Sequence, residues 1–541
     1  MKRLPLDLLI TLDRSGDAAE GLTRQIYAQL RQAILSGRLR AGDRLPPSRA
    51  LAQELDVARL TVATAYDWLR AEGYVSGRVG AGTFVAPIFE GYSPVERAEP
   101  ETRAPASSAA DTRASAPETE LRPPLTAWAR RIQEIPLIGA GATSDGAAGA
   151  EFDFRPHIGA ADLFPWARWR RIVAWQDTAD PLAELRAQAR ESAARAGRWD
   201  ALLGPLETRA AIAAWLRRSR AVRCDPDQLL IASSVQQVLA LLARLLVEPG
   251  QHLLVEDPSY IGFHAAFLAE GAVLRGIPVD QSGIRVDALP EPGAGGALAD
   301  SRLLIVTPSH QYPTGVTLSL DRRMALIEWA RRSGATLVED DYDGDLRLEG
   351  QPLEALRGLD ERDEVIYLGT FAKALYPAAR LAFAALPRWL IEPVARARAA
   401  SDRHPAWRDA LAIARFIEAG ELERHLARMR RVYRARRDAL VAALRTEMGD
   451  IAHIGPAEAG IHLLVTLPEG TDDVALAALA QARGLATTAL SPHYQAEARP
   501  GLLLGFGALN EDQLAEGVRR LAPLARAAAQ QAVAHAAHGV S

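Results

Sequence analysis

Apolar side chains recur at helical spacing over residues 22–36, where Leu22, Ile26, Leu30, Ala33 and Ile34 share one face and Gly37 stops the run. A turn-rich stretch, residues 38–48, follows. Ser48 is a candidate N-cap for a second helix over residues 49–55. A third helix is predicted from about Ala58 to Ala71, with Val62, Ala65, Tyr66 and Leu69 inward and Gly73 at its end. Residues 74–76 and 83–85, joined by the glycine-rich run 77–82, read as a hairpin. Helices joined by a tight turn and followed by a hairpin predict a winged helix-turn-helix over residues 1–85.

The pattern then changes. Residues 93–127 contain no aromatic side chain and are rich in Ala, Pro, Ser, Thr and Glu, a composition that cannot bury enough apolar area to fold alone. Residues 86–121 are therefore read as a flexible linker. From residue 122 to 541, short apolar runs (253–257, 303–307, 336–340 and 364–368) alternate with helix-length segments such as 320–333. That alternation predicts an α/β domain with a mostly parallel sheet. Ligands in such sheets bind beyond the C-terminal ends of the strands, so the polar residues just after these runs carry most of the information.

Composition narrows the class. The chain is 48% hydrophobic and 24% charged, as in a globular protein, and no apolar run reaches membrane length. The start of the chain lacks the uninterrupted apolar stretch and small-residue cleavage site of a signal peptide, and a cytoplasmic location is expected. One cysteine, Cys224, excludes an intramolecular disulfide and a Cys-based zinc cluster, and no metal is expected. The net charge is −4, but residues 1–85 hold 12 basic and 9 acidic side chains, or +3, which leaves −7 for the rest. A basic winged helix fits double-stranded DNA. Arg59, Thr61 and Thr64 at the head of the third helix are placed to reach base edges or phosphates, Arg44 and Arg49 to contact the backbone, and the Gly80–Gly82 tip to approach the minor groove.

Only two of the 63 basic side chains are lysines, Lys2 and Lys373. An amine can lose its proton when desolvated and attack a carbonyl, which a guanidinium cannot. The residues after the predicted strands suit pyridoxal 5′-phosphate (PLP). Lys373 supplies an amine for a Schiff base, and Asp340 a carboxylate for the ring nitrogen. The amides of Ser234, Val235 and Gln236 open a helix and favour phosphate. Thr370 and Arg380 extend that cradle, Tyr260 offers a face for the ring and Tyr342 a donor for its phenolic oxygen.

Two sets of motifs carry a family resemblance. The first is Arg44-Leu-Pro-Pro-Ser-Arg-Ala-Leu-Ala52 with Thr61-Val62, Ala71-Glu-Gly-Tyr74 and Gly82-Thr-Phe-Val85. The second is Ser309-His-Gln-Tyr-Pro-Thr-Gly315, Glu339-Asp-Asp-Tyr342 and Gly369-Thr-Phe-Ala-Lys373. Together, over about residues 20 to 525, they resemble the MocR/GabR-type regulators of the GntR superfamily, a winged helix fused to a fold-type I aminotransferase-like domain. The resemblance implies a PLP-dependent transcriptional regulator acting as a head-to-tail homodimer. It would sense a small amino compound, or PLP itself, through an aldimine at Lys373, with at most residual transamination. The alternative is a working aminotransferase with an accessory DNA-binding domain.

The chain departs from the family pattern at several positions. Ala58 and Leu60 stand where Ser and Asn are usual, and Ala372 replaces the serine before the lysine. Leu503 fills the slot of the carboxylate-clamping arginine, which leaves Arg499 as the candidate for an effector carboxylate. His310 and His462 are expected to be satisfied packing histidines, and Arg428 and Arg430 to face outward on an Arg-rich helix.

Overall fold

A computed structural model describes residues 10–14, 21–78, 82–87, 124–135, 150–178, 199–291, 301–351, 353–375, 380–403 and 405–538. The chain divides into two compact units, Met1–Glu120 and Leu121–Ser541. The linker reading falls almost wholly outside the described residues, as does Gly80.

In the first unit, α1 (Leu22–Leu35), α2 (Ser48–Glu54) and α3 (Arg59–Ala71) precede an antiparallel hairpin of β1 (Val75–Arg78) and β2 (Gly82–Val85). The helical stripes converge on one core, in which Ile26, Leu30, Val62, Ala65 and Leu69 are fully buried. Each large aliphatic side chain buried there contributes roughly 1.5–3 kcal/mol. The buried Tyr66 hydroxyl donates to the Pro46 carbonyl at 2.9 Å and ties α3 to the turn before α2. Two details differ from the sequence reading. Ser48 is the first helical residue, with Pro47 as N-cap, because proline's fixed φ suits the helix entry. Ala58 is the N-cap of α3 and, lacking a side-chain oxygen, leaves the first-turn amides uncapped.

The second unit is built on an eight-stranded sheet. Its strands are β3 (Leu229–Ala232), β4 (His252–Asp257), β5 (Val273–Asp280), β6 (Gly283–Ile284), β7 (Leu303–Val306), β8 (Thr336–Asp341), β9 (Ile366–Thr370) and β10 (Ala382–Ala385). The spatial order is β3-β10-β9-β8-β7-β4-β5-β6. The run from β9 to β5 is parallel, whereas β10 lies antiparallel between β3 and β9. The central strands read as continuous apolar runs because helices such as α4 (Val235–Leu246) and α5 (Leu320–Ser333) cover the sheet. A four-stranded sheet follows, in the order β11 (His453–Ile454), β12 (His462–Thr466), β14 (Gly501–Gly505), β13 (Thr488–Ala489). Two long helices, α6 (Glu421–Met448) and α7 (Glu511–His538), pack with it. On α6, Arg428 is exposed as expected, but Arg430 turns inward and donates to the Asp345 carbonyl at 2.8 Å.

Candidate cofactor site and DNA-binding face

The C-terminal ends of β8 and β9 lie side by side, with Leu368 opposite Asp340 and Gly369 opposite Asp341. Gly369 cannot carry a side chain, since a Cβ there would stand 2.3 Å from the Phe383 ring. The chain leaves β9 through a tight turn in which the Ala372 amide donates to the Thr370 hydroxyl at 3.2 Å. The turn delivers Lys373 half-buried, its Nζ donating to the His157 carbonyl at 3.0 Å. Burial pushes this amine down to about 8, against the opposing pull of Asp343 and Asp340.

The two adjacent aspartates of β8 have different jobs. Asp341 is spent on the scaffold: it pairs with the buried Arg220 at 2.7 Å and accepts from the Tyr367 hydroxyl at 2.6 Å. The Asp340 side chain makes no hydrogen bond among the described residues, and its Oδ1 is fully buried. Burial and the neighbouring Asp341 and Asp343 push its carboxyl up to about 8. An orphaned buried acceptor beside a desolvated amine fits a ring whose protonated nitrogen satisfies the one and whose aldehyde takes the other.

The remaining cradle is less concentrated. Ser234 is the N-cap of α4 and accepts from the Gln237 amide at 3.1 Å. The amides of Val235 and Gln236 lie in the first turn, where no intrahelical acceptor exists. Tyr260 is 36% exposed. It meets Tyr312 edge-on at 5.5 Å, and the charge of Asp340 adds to burial in raising its phenol. Arg380 is exposed, five residues beyond Leu375, where the described part of the Lys373 turn ends. Arg499 is also exposed, its charge felt by Tyr494, while Leu503 is buried in β14.

The reading of His310 and His462 as satisfied packing residues is corrected by the structure. His310 Nδ1 lies 2.9 Å from both Asp343 Oδ2 and the Tyr342 hydroxyl. Its Nε2, both nitrogens of His462 and Asp343 Oδ1 are buried without a hydrogen-bond partner. The two imidazoles lie 5.1 Å apart by ring centroid, and burial holds His462 well below the usual histidine range. Asp343 was not singled out in the sequence. Its signal was the third aspartate in Asp340-Asp-Tyr-Asp343, on the far side of the tyrosine.

On the winged helix, Arg44, Arg49 and Arg59 are exposed and Thr61 and Thr64 half-buried. Leu60, 76% exposed, stands beside Arg59 at the head of α3. Gly82 has φ +115, which favours glycine, and a Cβ there would lie 2.8 Å from Arg44 Nε.

Comparison with known proteins agrees with both units. Residues 22–85 match the bacterial regulatory proteins of the gntR family, and residues 174–521 match aminotransferase class I and II. The probable rhizopine catabolism regulatory protein MocR of Rhizobium meliloti is 34% identical over 95% of this chain and 95% of its own. The pyridoxine biosynthesis transcriptional regulator PdxR of Corynebacterium glutamicum is 31% identical over 91% of this chain and 93% of its own. Among solved structures, kynurenine aminotransferase of Pyrococcus horikoshii, in complex with PMP, superposes with a TM-score of 0.64 at 27% identity. That match covers 73% of this chain and 96% of the enzyme. A gntR-family reader and an aminotransferase fold in one chain, matched end to end by regulators, place this protein in the MocR/GabR-type family of PLP-dependent, DNA-binding transcriptional regulators.

Proposed function

We propose that this regulator senses a small amino compound, or PLP itself, at Lys373, and that its aminotransferase-like domain is a detector with at most residual transamination. The observation that carries this reading is the pairing of the desolvated Lys373 amine with the orphaned Asp340 carboxylate in a chain that also carries a DNA reader. Bound there, PLP supplies an aldehyde at which primary amines exchange. Asp340 would hold the ring nitrogen, the first amides of α4 with Ser234, Thr370 and Arg380 would hold the phosphate, Tyr260 would cover the ring and Tyr342 would serve its phenolic oxygen. Lys373 is the resident amine. Were an effector amine to displace it, its ammonium would face Asp343 and Asp340, which favour the charged form, and the local charge balance would change. Arg499 is the candidate for an effector carboxylate.

Arg59, Thr61 and Thr64 read the operator, with Arg44, Arg49 and the wing glycines on the backbone and minor groove. The working form is a head-to-tail homodimer in the cytoplasm. A mobility-shift assay on the protein's own promoter region, with and without PLP, tests the reading. Retardation that responds to PLP or an amine supports it, and no shifted fragment in any condition ends it. A second test is visible absorbance that borohydride removes and Lys373→Ala abolishes.

The alternative of a working aminotransferase has one observation behind it. The 2-aminoadipate transaminase of Thermus thermophilus is 31% identical over 58% of this chain and 77% of its own. Multiple turnovers with an amino donor, lost in Lys373→Ala, favour that alternative, whereas only slow half-reactions count against it.

A further inference from the structure

Asp343, His310 and Tyr342 form a chain of polar contacts that no packing role explains. The Asp343 and His310 side chains are each 1% exposed, and a buried carboxylate without a donor is costly. His310 Nδ1, 2.9 Å from Asp343 Oδ2, satisfies that carboxylate only if it carries the proton. The Tyr342 oxygen lies at the same 2.9 Å from the same nitrogen. It then accepts the second branch of a shared Nδ1–H bond and cannot donate back. Burial, with Asp343 and Asp340 adding to it, holds the Tyr342 phenol well above its ordinary range, so the hydroxyl keeps its hydrogen. With His310 closed to it as an acceptor, that hydrogen is free for a ligand.

We propose that Asp343 and His310 act as a positioning dyad that locks the tautomer of the imidazole and aims the Tyr342 hydroxyl hydrogen at the phenolic oxygen of the bound cofactor. The inference rests on the PLP-binding reading given above. The packing holds the imidazole in one orientation. A Cβ on Gly460 (φ +77) would stand 2.2 Å from His310 Cε1 and 2.6 Å from Asp343 Oδ2, and one on Gly315 would stand 3.3 Å from His310 Nε2. The ring is wedged between two glycines, and at Gly460 there is no room for a Cβ. The ionisable groups facing the dyad and Tyr342 are Asp340 on β8, Tyr312 in the turn after β7, His462 on β12, Glu256 on β4 and Lys373. None lies within hydrogen-bond distance of the Tyr342 hydroxyl, which leaves His310 as its partner among the described residues.

A donor to the phenolic oxygen stabilises negative charge there and makes the lysine-linked nitrogen less basic. Loss of the donor raises the pH at which the bound cofactor changes its visible absorbance. The test is a spectral pH titration of the PLP-loaded full-length protein. Tyr342→Phe raises the midpoint by about one pH unit, the worth of one hydrogen bond to a charged group. His310→Leu raises it in the same direction and does not add to Tyr342→Phe in a double variant. His310→Asn, whose amide restores a donor near the Nδ1 position, returns the midpoint toward wild type. Circular dichroism and operator binding establish that each variant is folded. A midpoint that moves in Tyr342→Phe but stays put in His310→Leu overturns the dyad and leaves the PLP reading intact. A wild-type protein with no visible band overturns both.

Discussion

The sharpest quantitative consequence concerns the Lys373 amine. With burial pushing it down to about 8, about a tenth of it is neutral at pH 7. An ordinary lysine at 10.5 is about 0.03% neutral at the same pH, a difference of roughly 300-fold in available nucleophile. Only the neutral amine attacks a carbonyl. Cofactor-stripped protein mixed with PLP should therefore capture it at a rate that rises about tenfold from pH 6 to 7 and levels off above about 8. Stopped-flow absorbance measures the rate, and borohydride trapping with peptide mapping confirms Lys373 as the position. Asp340→Asn gives the diagnostic perturbation. With its carboxyl pushed up to about 8, Asp340 is already mostly protonated below pH 7, so the substitution leaves the inflection and the acid-side capture rate nearly unchanged. The same change removes the ring-nitrogen partner and costs about 1.5–3 kcal/mol of retention, or roughly ten- to hundred-fold in affinity. Unchanged capture with weaker retention separates the amine's burial from the ring-nitrogen contact. An inflection near 10 in the wild type, or an acid-side capture rate that changes many-fold in Asp340→Asn, refutes the electrostatic reasoning.

Other consequences are simpler to test. Gly369→Ala forces a Cβ to 2.3 Å from the Phe383 ring, so the large domain should lose about 1–3 kcal/mol, read as a lower midpoint in urea. Arg59→Ala should weaken operator binding by about 1–3 kcal/mol, or, if its contact is to phosphate, lower the salt slope by about one, both measurable by fluorescence anisotropy. His264 is held down to about 4 by burial, below its unfolded value of 6.5. The folded state thus binds fewer protons than the unfolded one between those values, and stability is lost as pH falls from about 6.5 toward 4. The His264 share of the loss is about 2 kcal/mol at pH 5, and the loss between pH 7 and 5 should be smaller by that amount in His264→Gln when denaturation midpoints are compared.

The periodic elements were legible in the sequence because one apolar stripe or one continuous apolar run sufficed to define each. Helices α1 and α3, the hairpin and strands β4, β7, β8 and β9 all fall within a residue or two of their patterns. The chemistry was legible where it depended on residue type after a strand, as with Lys373 and Asp340. It was not legible where it depended on which partner arrived from elsewhere. Adjacent aspartates on a strand point to opposite faces, and only the arrival of Arg220 and Tyr367 shows which is scaffold. His310 and His462 are 152 positions apart, so nothing local revealed that they share a site. Arg430 was misplaced because a helix face that is polar throughout does not announce which arginine finds a carbonyl.

These long-range partners also determine what a change at Lys373 can reach. Lys373 feels the charge of Asp343, Asp343 meets His310 at 2.9 Å, and His310 lies against the Gly460 backbone, two residues before His462 on β12. Each link joins a different part of the large domain: the β9 turn, the segment after β8, the turn after β7 and the second sheet. The links have little slack. A rotation of His310 must either break its contact with Asp343 or displace Gly460, since no room for even a methyl group separates them. A protein interior responds to such a conflict by switching between discrete packings, not by yielding smoothly. The dyad is therefore one physical route from the Lys373 amine to the second sheet, beside the bond from Lys373 to the His157 carbonyl, and Gly460→Ala should disturb it by driving a Cβ to 2.2 Å from His310 Cε1.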